Sequence, residues 1–140
     1  LILIFIFSFK FISLTPYHYV YLNYLNGKTA NNHLRFENDY SSTSIKELIK
    51  NSTFLKGKNI TLALCGASRG KIKKNLINNN LNNIKIVGPG EKYDYILLTN
   101  RVDWNTLTNI NKAKTCFQSY KGKNISEVKR MGLVLSSIRK

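Results

Sequence analysis

A glycine-containing turn, residues 66–71, comes closer than any other segment to a known chemical motif. It follows a predicted strand and precedes a predicted helix, as a phosphate-binding loop does. A P-loop has four residues between its glycines and a Ser or Thr after the lysine. Here three residues separate Gly66 from Gly70, and Ile72 follows Lys71. We therefore expect no nucleotide site, and a helix N-terminus at this point offers an anion only its free N–H groups.

Other titratable side chains are too scattered to indicate a catalytic or metal site. Glu37 and Asp39 lie in a predicted loop, and paired carboxylates do acid–base chemistry only where their surroundings separate their pKa values. The sequence shows no such surroundings, so we interpret both as loop-anchoring or helix-capping residues. His18 and His33 have no second metal ligand at a usable spacing. We predict no catalytic residue, no metal and no cofactor in this chain.

The two cysteines, Cys65 and Cys116, lie far apart and have neither CxxC nor Cys/His spacing, so a zinc site has no support. Both fall in predicted strands, where a free cysteine commonly packs as a small hydrophobe. We therefore expect two buried thiols. A disulfide remains the alternative if the domain faces an oxidising compartment.

Composition limits the chain to one folded unit of ordinary domain size. It has 140 residues, 43% of them hydrophobic, with only 8 Gly and 2 Pro, which excludes collagen-like, Pro-rich and wholly disordered classes. The net charge of +15 favours nucleic acid or an anionic membrane surface as a partner. Lys, Asn and Ile are all in excess, however, with 17, 18 and 15 residues, and a nucleotide bias in the genome produces the same pattern without any partner.

The chain starts with an apolar run, residues 1–14, interrupted only by two Ser and Lys10. As a helix it would be roughly 21 Å long, about two thirds of a bilayer core about 30 Å thick. It lacks the basic start and the small-residue cleavage site of a secretory signal. Because the first residue is Leu1 and not Met, we interpret the chain as a fragment that begins within a transmembrane helix. The alternative is a buried strand, since Ile and Phe favour strands.

Residues 15–42 are predicted to hold an interfacial helix followed by a loop. Thr15 suits the N-cap, Pro16 the first helical position and Gly27 the left-handed stop. Three tyrosines then share one helix face: Tyr17, Tyr21 and Tyr24. Tyrosines beside an apolar span suit the headgroup layer of a membrane. An aromatic stripe packed on an ordinary soluble core is the alternative.

From residue 43 onward the pattern predicts an α/β domain with a mixed sheet of about five strands. Ser44 and Glu47 have the spacing of a capping box. Helices are predicted over residues 45–54, 71–80 and 106–113. Strand patterns cover residues 59–65, 84–87, 93–99, 115–120, 125–130 and 133–139, with a turn at Met131 and Gly132.

Four segments, in order, match a family pattern. The first contains Pro16, Tyr17, Tyr19, Val20, Tyr21, Asn23 and Gly27; the second Phe36, Glu37, Asp39 and Tyr40; the third is residues 93–101, ending in Asn100 and Arg101; the fourth is residues 130–135. Together they resemble the C-terminal tail of bacterial polytopic membrane glycosyltransferases related to the dolichyl-phosphate-mannose protein mannosyltransferases. Thr15, His18 and Ser41 depart from that pattern, which usually has His, Gln or Glu, and Trp there.

The resemblance implies that the whole protein transfers a sugar from a polyprenyl-phosphate carrier, with catalytic acidic residues in an early extracytoplasmic loop outside this chain. Residues 1–14 would end the last transmembrane helix, 15–42 would lie at the interface, and 43–140 would form a periplasmic or extracellular domain. Membrane lipid and the lipid-linked donor would be partners through the parent protein.

Two alternatives to this interpretation remain. One is an orphan membrane-tethered domain. The other is a small basic module in which Lys71, Lys73 and Lys74 contact nucleic-acid phosphates. We do not expect nucleic acid as a partner, because such a module leaves the apolar start unexplained.

Overall fold

The computed structural model describes residues 2–13, 43–103, 106, 114–130 and 132–140. The predicted interfacial helix and loop, residues 15–42, lie outside this set. So do most of the predicted helix over 106–113 and Met131 of the predicted turn.

The apolar start forms helix α1 (Ile2–Ser13), so the strand alternative is wrong. Its 12 residues span roughly 18 Å. None of them is buried, and Ile2, Leu3 and Phe5 are 77%, 81% and 74% exposed. No helix in the described ranges combines the length and the apolarity needed to cross a bilayer.

The remaining described residues form an α/β domain with a five-stranded mixed sheet, as predicted. Its helices are α2 (Ser44–Asn51), α3 (Arg69–Asn78) and α4 (Cys116–Ser119), with a 3-10 turn at Thr53–Leu55. Its strands are β1 (Ile60–Cys65), β2 (Ile84–Val87), β3 (Tyr95–Thr99), β4 (Asn124–Arg130) and β5 (Leu133–Arg139).

The sheet has the order β2-β1-β3-β5-β4. Strands β2, β1 and β3 run parallel, and α3 connects β1 to β2. Strands β3, β5 and β4 pair antiparallel, so β5 joins the two halves of the sheet. The β4–β5 hairpin turns at Gly132, whose φ of +79° suits glycine.

Apolar side chains cover both faces of the sheet. Helices α2 and α3 contribute Ile45, Leu48, Ile72 and Leu76 to the larger cluster, together with Leu62 and Leu97 of the sheet. The smaller cluster, on the other face, contains Ala63, Ile96, Leu98 and both cysteines. Burial on both faces explains why β1 and β3 are nearly continuous apolar runs.

The predicted capping box at the start of α2 is wrong. Thr43 is the N-cap, and it makes no side-chain capping hydrogen bond. The Ser44 hydroxyl donates to Ser136 Oγ of β5 at 2.7 Å, and both residues are fully buried. The Glu47 carboxylate accepts from Arg130 Nη2 of β4 at 2.8 and 3.0 Å. Ser44 and Glu47, the two residues expected to form the capping box, thus bind side chains of β5 and β4 instead.

The predicted strand over residues 115–120 is also wrong, because this segment forms α4. Thr115 caps the helix, and its backbone N–H donates to Gln118 Oε1 at 2.8 Å in a capping box. Of the expected strand pairing, the described residues show an isolated antiparallel bridge between Thr115 and Val102. The segment is composed largely of residues that favour strands, but the capping box of Thr115 and Gln118 starts a helix there instead.

Candidate functional site

The carboxyl ends of β1 and β3 form the place where a sheet of this topology commonly binds ligands. The chain leaves β1 to reach β2 on one side and returns to β3 on the other, so strand order reverses between β1 and β3. We call the residues at this edge the switch-point cluster; they are Cys65, Gly66, Thr99, Asn100, Arg101 and Cys116.

A disulfide joins Cys65 to Cys116 across this cluster, so the expected pair of thiols is wrong. The Sγ atoms are 2.05 Å apart and the Cα atoms 5.7 Å apart. Cys65 is 5% exposed and Cys116 fully buried. The backbone N–H of Cys116 donates to the Arg101 carbonyl at 2.8 Å, which holds the start of α4 against the end of β3. Because neither sulfur is a thiolate, the pair provides no nucleophile.

Gly66 lets the two strand ends approach each other closely. Its φ is +78°, and a Cβ at this position would lie 2.2 Å from Thr99 Oγ1 and 3.1 Å from Arg101 Cβ. The Thr99 hydroxyl donates to the Gly66 carbonyl at 2.9 Å. In the sequence, Gly66 is noticeable only as part of a P-loop-like turn with the wrong spacing. The contact that requires glycine at this position is made by Thr99, 33 residues away.

The third and fourth family-motif segments lie in the described ranges, apart from Met131. Asn100 and Arg101 directly follow β3 and lie together in the switch-point cluster. Asn100 is fully buried, whereas Arg101 is partly exposed. The first and second segments lie outside those ranges, with Pro16, Tyr17, Tyr19, Val20, Tyr21, Asn23, Gly27, Phe36, Glu37, Asp39 and Tyr40.

Two further clusters of polar contacts stabilise the fold away from the switch-point cluster. Asp94 Oδ2 accepts hydrogen bonds from the Thr61 backbone N–H at 2.8 Å and the Thr61 hydroxyl at 2.7 Å. These bonds, the backbone one first, lower the pKa of Asp94 below its ordinary value of 3.8. The contact ties the segment before β3 to β1.

Arg139 binds α4 to the end of β5. Its Nη1 donates to the carbonyls of Phe117 and Tyr120 at 3.1 and 2.6 Å, and its Nε donates to Asn124 Oδ1 at 2.9 Å. Its guanidinium carbon lies 5.2 Å from the centre of the Phe117 ring. Partial burial lowers the pKa of Arg139, with the charge of Glu127 opposing this shift. These contacts give Arg139 a structural role.

A groove lies between α3 and β2. It has a volume of about 520 Å³. Its floor is apolar and includes Leu76, Ile77, Ile84 and Ile86, while Arg69 and Lys73 lie at its rim. The sequence predicts a helix over residues 71–80 and places Lys71, Lys73 and Lys74 on it, but it does not indicate the groove. The groove depends on the position of β2 at the edge of the sheet, which the sequence pattern does not indicate.

Within the described ranges, no three His, Cys, Asp or Glu side chains are grouped so that they could hold a metal ion. Comparison of the chain with family models, with curated proteins and with solved structures found no match.

Proposed function

We propose that this chain is the C-terminal, extracytoplasmic part of an integral-membrane glycosyltransferase that uses a polyprenyl-phosphate-linked sugar donor. In this proposal α1 is the end of the last membrane helix, and residues 15–42 lie at the membrane surface. The α/β domain sits beside the lipid-linked donor, and the catalytic loop belongs to a part of the protein that this chain lacks.

The disulfide between Cys65 and Cys116 is the observation that supports the proposed extracytoplasmic location. Disulfides persist in oxidising compartments, such as the periplasm and the cell exterior, and are rare in the cytosol. This bond joins two buried residues 51 positions apart and ties α4 to β1. An extracytoplasmic domain accounts for it directly.

The side chains of α1 support attachment to a membrane. Nine of its large apolar residues are more than a third exposed, from Phe11 at 37% to Leu3 at 81%. Soluble monomeric proteins rarely expose so large a contiguous apolar surface, which commonly marks a protein or membrane contact. Ile, Leu and Phe are also the residues that insert favourably into a bilayer.

The proposed enzyme class depends on the four sequence segments and their order. The third segment ends in Arg101, whose carbonyl accepts a hydrogen bond from the Cys116 N–H at the start of α4, and the fourth forms the β4–β5 turn. In the fourth segment Arg130 pairs with Glu47 of α2. The described residues of these segments thus have structural roles, as expected for a fragment without the catalytic loop.

Membrane attachment is tested by flotation of the full chain with phosphatidylcholine vesicles in 0.5 M salt, which screens surface charge. We expect the chain to float, and we expect the variant Ile4→Lys/Phe7→Lys to remain at the bottom of the gradient. The control Ile125→Lys changes an exposed isoleucine of β4, outside the groove between α3 and β2, and should float like the unmodified chain. Failure of the unmodified chain to float would contradict the proposal.

The enzyme class is tested separately by reading the genome in frame upstream of Leu1. A series of hydrophobic spans would support a polytopic parent, whereas a start codon at the boundary would contradict it. Filter binding to RNA tests the nucleic-acid alternative. Tight binding that falls by orders of magnitude between low and moderate salt, in a chain that does not float, would favour that alternative.

A further inference from the structure

The groove between α3 and β2 exists because β2 is a short edge strand. Its four residues pair with β1 on one side only in the described part of the sheet. Side chains alternate along it, so Ile84 and Ile86 face α3 while Lys85 points away. Beside α3, Ile77 is 53% exposed and Ile84 and Ile86 are partly exposed, whereas Leu76 and Leu81 beneath them are buried.

The volume and lining of the groove match those of a binding site. Pockets for small ligands commonly have volumes of about 300–1,000 Å³ and mostly apolar walls with a few polar groups. The groove, at about 520 Å³, falls within this range. Its apolar lining residues come from three consecutive parts of the chain: Leu76 and Ile77 of α3, Leu81 of the connection, and Ile84 and Ile86 of β2.

The rim of the groove is positively charged. Arg69 and Lys73 are four residues apart on α3 and therefore lie on the same face of that helix. Neither forms an ion pair with any carboxylate among the described residues. The Glu91 carboxylate, which accepts a hydrogen bond from the Gly88 backbone N–H at 2.6 Å, lies near the Arg69 guanidinium: a Cβ on Gly88 would be 3.0 Å from Glu91 Oε1 and 3.6 Å from Arg69 Nη2. Glu91 therefore offsets part of the Arg69 charge, and the rim stays positive because Arg69 and Lys73 are two cations beside one carboxylate.

From this combination we infer that the groove binds a single-chain lipid with an anionic head group. The hydrocarbon chain packs on the isoleucines and leucines of the floor, where burial of each CH₂ group is favourable. The head group contacts Arg69 and Lys73, whose N–H donors suit phosphate and carboxylate oxygens. The inference depends on the groove alone, and it holds whether or not the parent protein is a glycosyltransferase.

Photocrosslinking tests this site. The full chain, kept in solution by a non-ionic amphipathic polymer, is illuminated with dodecyl phosphate that carries a diazirine on its alkyl chain. Mass spectrometry then locates the label. We expect label on peptides from α3 and β2, and competition by unlabelled dodecyl phosphate. Inorganic phosphate and dodecanol should compete at least about tenfold more weakly, because each lacks one of the two interactions.

Charge reversals with a matched control separate the groove from general surface charge. In the variant Arg69→Glu/Lys73→Glu we expect labelling to fall at least about tenfold. The control Lys74→Glu/Lys85→Glu makes the same change in net charge, at one residue of α3 and one of β2 outside the groove lining, and should label normally. All four residues are exposed, so circular dichroism should show unchanged folding.

Three outcomes would overturn the inference. The first is label spread evenly over the domain or concentrated elsewhere. The second is equal loss of labelling in both charge-reversal variants. The third is full competition by dodecanol alone or by inorganic phosphate alone, which would reduce the site to an apolar patch or an anion site. None of these outcomes depends on vesicle flotation. If the groove binds no lipid, the proposal of membrane attachment is unaffected, and if the chain does not float, the inference about the groove is unaffected.

Discussion

Loss of the disulfide between Cys65 and Cys116 should destabilise the domain by about 4 kcal/mol. The bond closes a loop of 51 residues. In the chain-entropy treatment, closing such a loop removes about 14 cal/mol/K from the unfolded chain, which corresponds to about 4 kcal/mol at 25 °C. A small domain has a total stability of about 5–15 kcal/mol, so this bond supplies a large share.

The variant Cys65→Ala/Cys116→Ala measures this contribution. Urea unfolding of the full chain, followed by far-UV circular dichroism, should show a midpoint lower by about 2 M for a slope of about 2 kcal/mol/M. Addition of reductant should destabilise the unmodified chain to a similar extent and leave the double variant unchanged.

Alkylation followed by mass spectrometry checks the bond itself. The unfolded chain should take up no iodoacetamide before reduction and two equivalents after it. Uptake without reduction would refute the reasoning at its first step. With the bond confirmed by mass, a midpoint shift below about 0.5 M would refute the estimate of loop entropy instead.

Three further substitutions test individual contacts by urea unfolding. Gly66→Ala should cost about 3 kcal/mol or more, since it combines a positive φ with a Cβ 2.2 Å from another atom, whereas Gly57→Ala, at φ +70° in open space, should cost about 1 kcal/mol. Arg130→Ala should cost about 1 kcal/mol, because its pair with Glu47 is 24–30% exposed, and a double-mutant cycle should find coupling between the two residues. Because the pKa of Asp94 is lowered in the folded state, its carboxylate stabilises the fold at pH above 3.8. That advantage over Asp94→Asn should disappear as pH falls below 3.8, and equal stability of the two proteins at pH 6 would contradict the assignment.

Regular elements with strong apolar patterns were predictable from the sequence. The predicted strand over 84–87 coincides with β2, and that over 133–139 with β5. The predicted strand over 93–99 begins two residues before β3, because Tyr93 and Asp94 belong to the preceding connection. In these segments the pattern of burial and the local propensity agree, so sequence alone is sufficient.

The errors occur where a long-range contact competes with a local pattern. Glu47 has the spacing of a capping residue but pairs with Arg130, 83 positions away. The disulfide depends on α4 lying against the ends of β1 and β3, which cysteine spacing does not encode. The groove beside Lys73 depends on strand order in the same way. Sequence patterns report neighbours within a turn or a strand, and these features are set by residues much farther apart.

The position of β5 has a consequence for the order in which the domain forms. This strand is the last in the chain, yet it lies between β3 and β4 and pairs with both. The ribosome must therefore translate residue 139 before β5 can pair fully with β3. Until then the outer edge of β3 offers unpaired backbone groups to any other chain nearby. Synthesis of this domain should thus benefit from a chaperone that shields the edge of β3 until β5 has left the ribosome.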